Sequence, residues 1–454
     1  MNILNNGNHS RETIPVVETS LTDEADKSAV GAINRPLRVC MHLANRARTD
    51  FRVMRDAIAL REAGFEVTIV DVEGEHLRGR LQGITPTEEI DGVYMKHIFM
   101  PSWFVPARFK PWFLMKAAIM FMHGVIQLLG TEADIYHAHV EYALPACFLV
   151  ARLRGKPLIF DAPDLTLSDP TIMRWHRLRS LAIRFLAHMV PGCATVITAS
   201  PYYVSELRSL YHAPDVTVVR NVPAYKVVPF SDRLRQYLGF GPEVRIALYQ
   251  GYMQPNRGLD RLVRAAKFLE PKTVIVMMGS AVEPTRSQLD ALIASEQVTD
   301  RVKLLPAMPY AELLEWTASA DIGLTIFPPD YSLSIRFTLP NKLFEYLMAG
   351  RPVLSSQLDA IAEVIKTYDV GQIVPSLAPS DLGTAINTML ADTAALARMR
   401  RNALETAQHE FCWEEESQKL IGLYQSLVPG IGHPRPPVHL MGRNMVNARG
   451  PTRP

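Results

Sequence analysis

The sequence predicts an α/β protein made of two doubly wound parallel-sheet domains that face each other across a cleft. Short apolar runs rich in β-branched residues alternate with amphipathic segments of helical period. The alternation is interrupted by a segment with two prolines at residues 221–240 and starts again at residue 245. Such alternation is typical of parallel sheets with crossover helices, and the ligands of paired domains of this kind bind between them.

The first half of the chain carries the elements of an N-terminal domain, which we place at residues 36–225. A helical period covers residues 49–64, and apolar runs bounded by turn-forming residues predict the strands. The predicted strands are residues 37–43, 66–72, 93–98, 135–139, 158–162 and 195–199.

The second half repeats the pattern, and we place a C-terminal domain at residues 226–410, followed by a final helix at residues 411–429. Residues 1–35 are polar without an apolar core, and residues 430–454 are rich in Pro, Arg and Gly, so both are predicted to be disordered. The predicted strands are residues 245–250, 273–278, 302–305, 322–326 and 353–355, and the predicted helices are residues 258–268, 310–320 and 341–349.

Composition excludes several classes of protein. The 454 residues carry a net charge of +2, which gives no basis for nucleic-acid binding. The four cysteines are far apart, so they predict neither a disulfide framework nor a zinc site and suit a reducing, cytoplasmic compartment. We find no signal peptide, and no apolar run reaches the roughly 18 residues that a membrane span needs.

The motifs that the sequence lacks exclude further classes of enzyme. The chain has no D-x-D for a metal-bound nucleotide diphosphate, no G-x-x-x-x-G-K-[ST] phosphate loop and no G-x-G-x-x-G fingerprint. It also lacks the G-x-S-x-G elbow of α/β-hydrolases. We therefore expect no cofactor and no metal requirement, and kinase-like ATPases, dehydrogenases and α/β-hydrolases become poor candidates.

Two segments carry residues suited to an anionic ligand. In residues 249–258, Gly251 lets a ligand approach the backbone after a strand, and Arg257 lies beside the N–H groups of a helix start. In residues 339–353, Lys342 falls in the first helical turn after Pro340, and Glu345 lies on nearly the same helical face. The alternatives are a tight turn with a solvated arginine and a surface Lys–Glu pair.

Two stretches, residues 92–131 and 170–205, contain no aspartate or glutamate. The first interleaves cations with aromatic residues, and the second has four arginines. Basic, aromatic, amphipathic segments suit an anionic membrane surface, and a core helix with a solvated basic face explains the pattern equally well.

Together these motifs resemble the retaining glycosyltransferases of family 4, which have the two-domain GT-B fold with two Rossmann-like domains. The resemblance covers roughly residues 36–428 and is most specific at P-N-K-L-F-E-Y-x-x-A-G-x-P-V, residues 340–353. It is also carried by residues 50–70, 134–139, 218–223, 249–260, 320–324 and 413–424.

The resemblance implies residue roles. Arg257 and Lys342, beside Gly251, bind the donor diphosphate, and Glu345 binds the donor ribose. His139, at the tip of an N-terminal strand, faces the transferred sugar as the catalytic residue, and the final helix crosses back to the first domain. The positions expected near the donor sugar or base are Met308, Tyr310, Arg336, Phe337, Leu339, Pro340 and Asn341, and those expected on the acceptor side are Asn45 and Arg46.

Two further carboxylates, Asp161 and Asp164, end a strand at the carboxyl edge of the sheet. There they either contact the acceptor or form a turn with the intervening proline.

Three positions depart from the family pattern. The first glutamate of the E-x7-E element is Phe337, so its contact to the donor sugar must come from backbone N–H groups or from Arg336. The first loop, residues 44–46, lacks the paired glycines, which changes how a substrate approaches it. Tyr252 stands where many members have an arginine, which leaves two cations to neutralise the diphosphate.

The sequence therefore predicts a metal-independent hexosyltransferase that moves a sugar from a UDP- or GDP-linked donor to a glycan or lipid-linked glycan, in polysaccharide or glycolipid synthesis. Two alternatives stay open. A nucleotide-sugar epimerase needs acidic residues in the cleft, for which Asp161 and Asp164 are candidates. A non-catalytic nucleotide-binding or scaffold protein is compatible with Phe337.

Overall fold

The computed structural model of the protein contains two separate sheets, each covered by helices on both faces. The structure describes residues 35–75, 85–100, 110–168, 173, 176–255, 257–281 and 283–427. Residues 1–34 of the predicted leader, the whole predicted tail and residues 101–109 of the basic aromatic stretch lie outside the described residues.

The first sheet has the strand order β3-β4-β2-β1-β5-β6-β7-β8, and its neighbouring strands are parallel except for β3 and β4. Its strands are β1 (Arg38–Leu43), β2 (Glu66–Glu75), β3 (Thr87–Ile90), β4 (Val93–Met100), β5 (Ile135–His139), β6 (Leu158–Asp161), β7 (Thr195–Thr198) and β8 (Val216–Val218). Its helices are α1 (Phe51–Glu62), α2 (Lys110–Leu129), α3 (Val140–Arg154), α4 (His176–Met189) and α5 (Tyr203–Tyr211).

The second sheet is parallel throughout, with the order β11-β10-β9-β12-β13-β14. Its strands are β9 (Arg245–Gln250), β10 (Thr273–Met278), β11 (Val302–Leu305), β12 (Ile322–Thr325), β13 (Val353–Ser355) and β14 (Gly371–Ile373). The helices of this half are α6 (Arg233–Leu238), α7 (Leu259–Ala265), α8 (Thr285–Ser295), α9 (Tyr310–Thr317), α10 (Leu333–Arg336), α11 (Asn341–Met348), α12 (Asp359–Tyr368), α13 (Pro379–Ala391) and α14 (Thr393–His409).

Three strands that the sequence pattern missed are short pieces at the sheet edges. β3 has the sequence T-E-E-I, and β8 and β14 have three half-buried residues each. Edge strands bury little side-chain surface, so they lack the continuous apolar run by which the central strands are recognised. The predicted interdomain linker also contains a helix, α6.

The last described helix, α15 (Trp413–Ser426), packs against the first sheet although it follows the second one in sequence. Leu420, Ile421 and Tyr424 bury their side chains in the same apolar cluster as Val39 and Met41 of β1. This helix therefore ties the two halves of the chain together. Within the described part of the chain, no helix is both long and apolar enough to cross a membrane.

Candidate active site

A cavity of about 800 Å³ lies between the two sheets, at the carboxyl ends of their strands. Its walls come from the loop after β6, from the start of α5 and from the loops after β9 and β10. The segment that leads into α11 completes it. Ligands of doubly wound sheets bind at this edge, so we take this interdomain cavity as the candidate site.

One wall of the interdomain cavity is cationic. Lys342 enters it from the first turn of α11, and its Nζ lies 3.6 Å from the centroid of the Tyr249 ring and 4.9 Å from that of Phe327. The guanidinium of Arg257 lies 4.9 Å from the same Phe327 ring. Burial first, and then the charge of Arg257, lowers the pKa of Lys342 well below its usual value of 10.5. Neither cation has a carboxylate ion-pair partner within the part of the chain that the structure describes.

Glycine backbone brings the same wall close to a ligand. Gly251, directly after β9, has φ 115°, and a Cβ built there would lie 3.5 Å from Cε of Lys342. Gly279, after β10, leaves no room for any side chain because a Cβ there would lie 1.9 Å from the carbonyl oxygen of Gly251. The two neighbouring strand ends thus present bare backbone beside the cations, which suits a diphosphate.

A hydrogen-bonded chain holds Glu345 at the edge of the cavity. Nε2 of Gln250 donates to the carboxylate of Glu345, and Oγ1 of Thr317 donates to Oε1 of Gln250 at 2.7 Å. Burial raises the pKa of Glu345. Gln250 was not predicted as a site residue, although a polar residue at the end of the apolar run of β9 is a usable signal. The alternative of a surface Lys–Glu pair is wrong, because Lys342 and Glu345 are both buried.

The opposite wall comes from the first domain. The side chain of Asp164 is exposed to the cavity, and its Oδ1 lies 3.4 Å from the hydroxyl of Tyr203. That hydroxyl donates to the carbonyl oxygen of Ser334 at 2.8 Å, so Tyr203 bridges the two domains. The predicted turn position of Asp164 therefore faces the site.

The segment around the missing family glutamate differs from expectation. Nε of Arg336 is 3.0 Å from a carboxylate oxygen of Asp359, and the Phe337 ring packs on Tyr202 at 5.6 Å between centroids. Neither residue is among those that line the cavity, and the expectation that Arg336 or Phe337 lies beside the donor sugar stays a prediction. The residues of this segment that do line it are Ser332, Ser334, Ile335, Thr338, Leu339, Pro340 and Asn341.

One of the two residues expected near the nucleotide base lines the cavity. Met308 is on its wall together with Leu313. Tyr310 is not, because its ring stacks on Phe51 of the first domain at 4.8 Å and 19°. Tyr310 is thus a contact between the domains, which its position in the sequence did not reveal.

His139 ends β5 as predicted but is buried below the interdomain cavity rather than lining it, with 3% of its surface exposed. Its Nδ1 is 3.1 Å from Oδ2 of Asp161, and Nε2 has no hydrogen-bond partner among the described residues. Both oxygens of Asp161 accept from Arg52, at 2.8 and 2.9 Å, and this lowers the pKa of Asp161 despite its burial. Asp161 is therefore committed to an internal ion pair and does not face an acceptor.

The residue after His139 has an unusual backbone. Val140 has φ 59°, a left-handed conformation that is strained for a β-branched residue. Strain of this kind persists where the surroundings impose it, often at functional sites.

A second cavity of about 640 Å³ adjoins the first and is lined by the loop after β1, including Asn45 and Arg46. Lys116 of α2 also lines it. Asn221 and Asn341 line both cavities, so the two spaces meet at these side chains. One cavity can thus hold a donor and the other an acceptor, with their reacting ends close together.

Two groups of described residues bring potential metal ligands together, and neither lines the interdomain cavity. In one group Asp161 is already paired with Arg52, and in the other Glu73 lies 3.1 Å from Nε of Arg46. The two groups are His137, His139 and Asp161, and Asp71, Glu73 and His97.

Comparison with known families matches both halves of the chain. Residues 52–222 match the family model described as Glycosyltransferase Family 4, and residues 230–406 match the one described as Glycosyl transferases group 1. A protein named D-inositol 3-phosphate glycosyltransferase 1, from Catenulispora acidiphila, is 25% identical over 406 residues, which cover 85% of this chain and 91% of that protein.

Solved structures share the fold. Sucrose-phosphate synthase from Thermosynechococcus elongatus superposes with a TM-score of 0.68 at 15% identity, covering 86% of this chain and 99% of the other. Anabaena HepE in complex with UDP-glucose superposes with a TM-score of 0.64 at 16% identity, covering 86% of this chain and all of HepE.

Proposed function

The chain belongs to the family 4, group 1 glycosyltransferases, and on that premise we propose that it transfers a sugar from a nucleoside-diphosphate donor to a hydroxyl acceptor with retention at the anomeric carbon. The observation that carries the proposal is the cationic wall of the interdomain cavity. Lys342 and Arg257 lie together without carboxylate partners among the described residues, beside the bare backbone of Gly251 and Gly279. A bound diphosphate supplies the negative charge that this wall lacks.

We propose that the same wall stabilises the leaving diphosphate without a metal ion. Negative charge grows on the leaving diphosphate as the glycosidic bond breaks, and positioned cations stabilise it. The first turn of α11 adds N–H groups that have no acceptor within the helix. Domain closure excludes water that would hydrolyse the donor. The family resemblance assigns His139 to orient the sugar; its Nε2 has no hydrogen-bond partner among the described residues, although the side chain is buried and does not line the cavity.

We propose that the acceptor occupies the second cavity. Lys116 on its wall favours an acceptor with an anionic group, whereas Arg46 is ion-paired with Glu73, and relatives are named for D-inositol 3-phosphate. A phosphorylated glycan or lipid-linked glycan in the cytoplasm fits this chemistry, in polysaccharide or glycolipid synthesis.

A lipid-linked acceptor also fits the outer surface of the first domain. Helix α3 contacts both α2 and α4, and each helix exposes large apolar side chains. Within these three helices the only acidic residue is Glu141, which is buried. We propose that this apolar and basic surface contacts an anionic membrane. Its exposed apolar residues are Leu114, Met115, Met122, Ile126, Leu129, Tyr142, Leu149, Leu153, Leu181 and Phe185.

The transferase proposal is tested with a panel of UDP- and GDP-linked sugars, assayed for released nucleoside diphosphate in the presence of EDTA. The parent, Glu345→Ala and His139→Ala are compared. Turnover of one donor that both variants lose supports the proposal, and turnover that EDTA abolishes contradicts metal independence. An isomerised nucleotide sugar indicates an epimerase, and nucleotide binding without turnover of any donor indicates a scaffold.

The membrane proposal is tested by flotation of the full chain with vesicles of phosphatidylcholine alone or mixed with phosphatidylglycerol. We expect binding only to the anionic vesicles, weakened by salt and lost in Met122→Glu/Ile126→Glu. Val227→Glu, at a position 75% exposed outside this surface, is the matched control. Loss of self-association instead of vesicle binding in the double variant would assign the surface to a second copy of the chain.

A further inference from the structure

Asp164 is a carboxylate in the interdomain cavity without a strong protein partner. Asp161, three residues earlier, accepts hydrogen bonds from Arg52 with both carboxylate oxygens and is 1% exposed. Asp164 is exposed, and its one contact among the described residues is the 3.4 Å approach to the Tyr203 hydroxyl. The proton of that hydroxyl is already directed to Ser334. The Asp164 carboxylate therefore keeps most of its capacity to accept hydrogen bonds from a ligand.

The position of Asp164 relative to the other walls decides which part of a ligand it meets. Lys342, Arg257 and Gly251 form the anionic-ligand wall, and Glu345 stands on the same helix as Lys342. Asp164 faces them from the first domain; burial raises its pKa, and the charges of Arg52 and Arg257 oppose that rise. A group attached to a diphosphate on the cationic wall shares the cavity with Asp164 and can reach it.

The acceptor is a weaker match for this carboxylate. The second cavity is lined by Asn45, Arg46 and Lys116, and Asp164 is not on its wall. The other polar residues on this side of the interdomain cavity are Ser334 and Thr338, which offer hydroxyl and backbone groups. The hydroxyl groups of a sugar bound there donate hydrogen bonds and need acceptors.

We propose that Asp164 accepts hydrogen bonds from hydroxyl groups of the transferred sugar and so selects the donor sugar. This inference rests on the proposed transferase function. The first domain thus supplies, from the loop after β6, the acidic group that the second domain lacks at Phe337. A sugar without the matching hydroxyl leaves the carboxylate desolvated and unpaired, which is how a polar site rejects such analogues.

The test compares the affinity for UDP with that for UDP-glucose by calorimetry, or for GDP and GDP-mannose where the donor panel selects guanine. The ratio of the two dissociation constants measures what the sugar contributes. The proteins are the full-length parent, Asp164→Asn, and Asp359→Asn, which removes a carboxylate paired with Arg336 outside the cavity. A second readout is the relative kcat/KM for the donor and its monodeoxy analogues.

We expect Asp164→Asn to weaken binding of the nucleotide sugar about 10- to 150-fold, the range for a hydrogen bond to a charged group, and to leave UDP or GDP binding unchanged. At least one deoxy donor should lose its disadvantage in this variant, while Asp359→Asn behaves as the parent. Unchanged discrimination among deoxy donors overturns the inference, and so does a change confined to the acceptor KM. Failure of the parent to bind any nucleotide refutes the transferase proposal instead.

Discussion

Replacing Lys342 with methionine should weaken nucleotide binding and stabilise the fold in the same variant. The ammonium group is buried, has no carboxylate partner among the described residues and lies near Arg257. Two aromatic rings hold it in place. In the free protein the buried charge lowers the stability of the fold, and the charge becomes favourable only when an anion binds.

The two effects have estimable sizes. Loss of a charge-assisted contact to phosphate is worth about 1.5–3 kcal/mol, so the dissociation constant of UDP or GDP should rise roughly 10- to 150-fold. Replacing a buried ion pair by apolar side chains of similar volume is neutral or stabilises by about 1–4 kcal/mol, and removing a buried ammonium without a carboxylate partner among the described residues should act in the same direction. Loss of the cation–π contact with Tyr249 offsets about 0.5–2 kcal/mol of that gain. The net effect is stabilising over most of these two ranges, so we expect a rise in melting temperature.

Calorimetry with UDP and GDP and a thermal melt of the ligand-free protein measure both quantities. Lys303→Met is the matched control, because Nζ of Lys303 also lies over a ring, 5.9 Å from the centroid of Phe240, but outside the interdomain cavity. The control should leave nucleotide affinity unchanged. A Lys342→Met protein that melts lower and binds nucleotide as tightly as the parent would refute the reasoning.

The same lysine predicts a pH dependence. Because burial lowers its pKa in the folded state, the unfolded chain binds the proton over the window between that value and 10.5. Stability of the ligand-free parent should therefore rise with pH across this window. A bound diphosphate favours the protonated form, so binding takes up a proton within this window. Calorimetry in buffers of different ionisation enthalpy should detect this uptake in the parent and not in Lys342→Met.

Two further substitutions test the site. Glu345→Gln keeps an oxygen that accepts from the Gln250 amide but loses the negative charge. A hydrogen bond to a charged acceptor is stronger than one to a neutral acceptor by about 1 kcal/mol. The preference for UDP over 2′-deoxy-UDP should therefore fall about fivefold. An unchanged preference in calorimetry would contradict the ribose role. Gly279→Ala pushes a Cβ against the carbonyl of Gly251 and should lower both melting temperature and nucleotide affinity, with overpacking costing about 1–3 kcal/mol. Gly422→Ala, with open space around its Cβ, serves as the control and should melt no lower than the parent.

The central strands were predictable because each has a continuous apolar run that is buried on both faces of a sheet. Strands β5, β9, β10 and β13 have the predicted bounds, and so does the edge strand β11, whose first and last residues are buried. The edge strands β3, β8 and β14 were missed because partial burial leaves no such run. Periodicity therefore reports how deeply a strand is buried as much as whether it exists.

The sequence by itself determined the paired doubly wound sheets and the backbone and charged groups of the cationic wall. These depend on local features, namely apolar periodicity, glycines at strand ends and the first turn of a helix. Gly251, Arg257, Lys342 and Glu345 all line one cavity because parallel strands bring their carboxyl ends to one edge.

Only the tertiary structure decided which neighbouring side chains face that cavity. Asp161 and Asp164 are three residues apart, yet one is buried against Arg52, 109 positions earlier in the chain, and the other is open to the site. Arg336 pairs with Asp359, and the Tyr310 ring stacks on Phe51 of the other domain, so neither side chain lines the cavity. Each choice is made by a partner distant in sequence, because the energy of pairing or stacking depends on distance in space, and no local pattern encodes it.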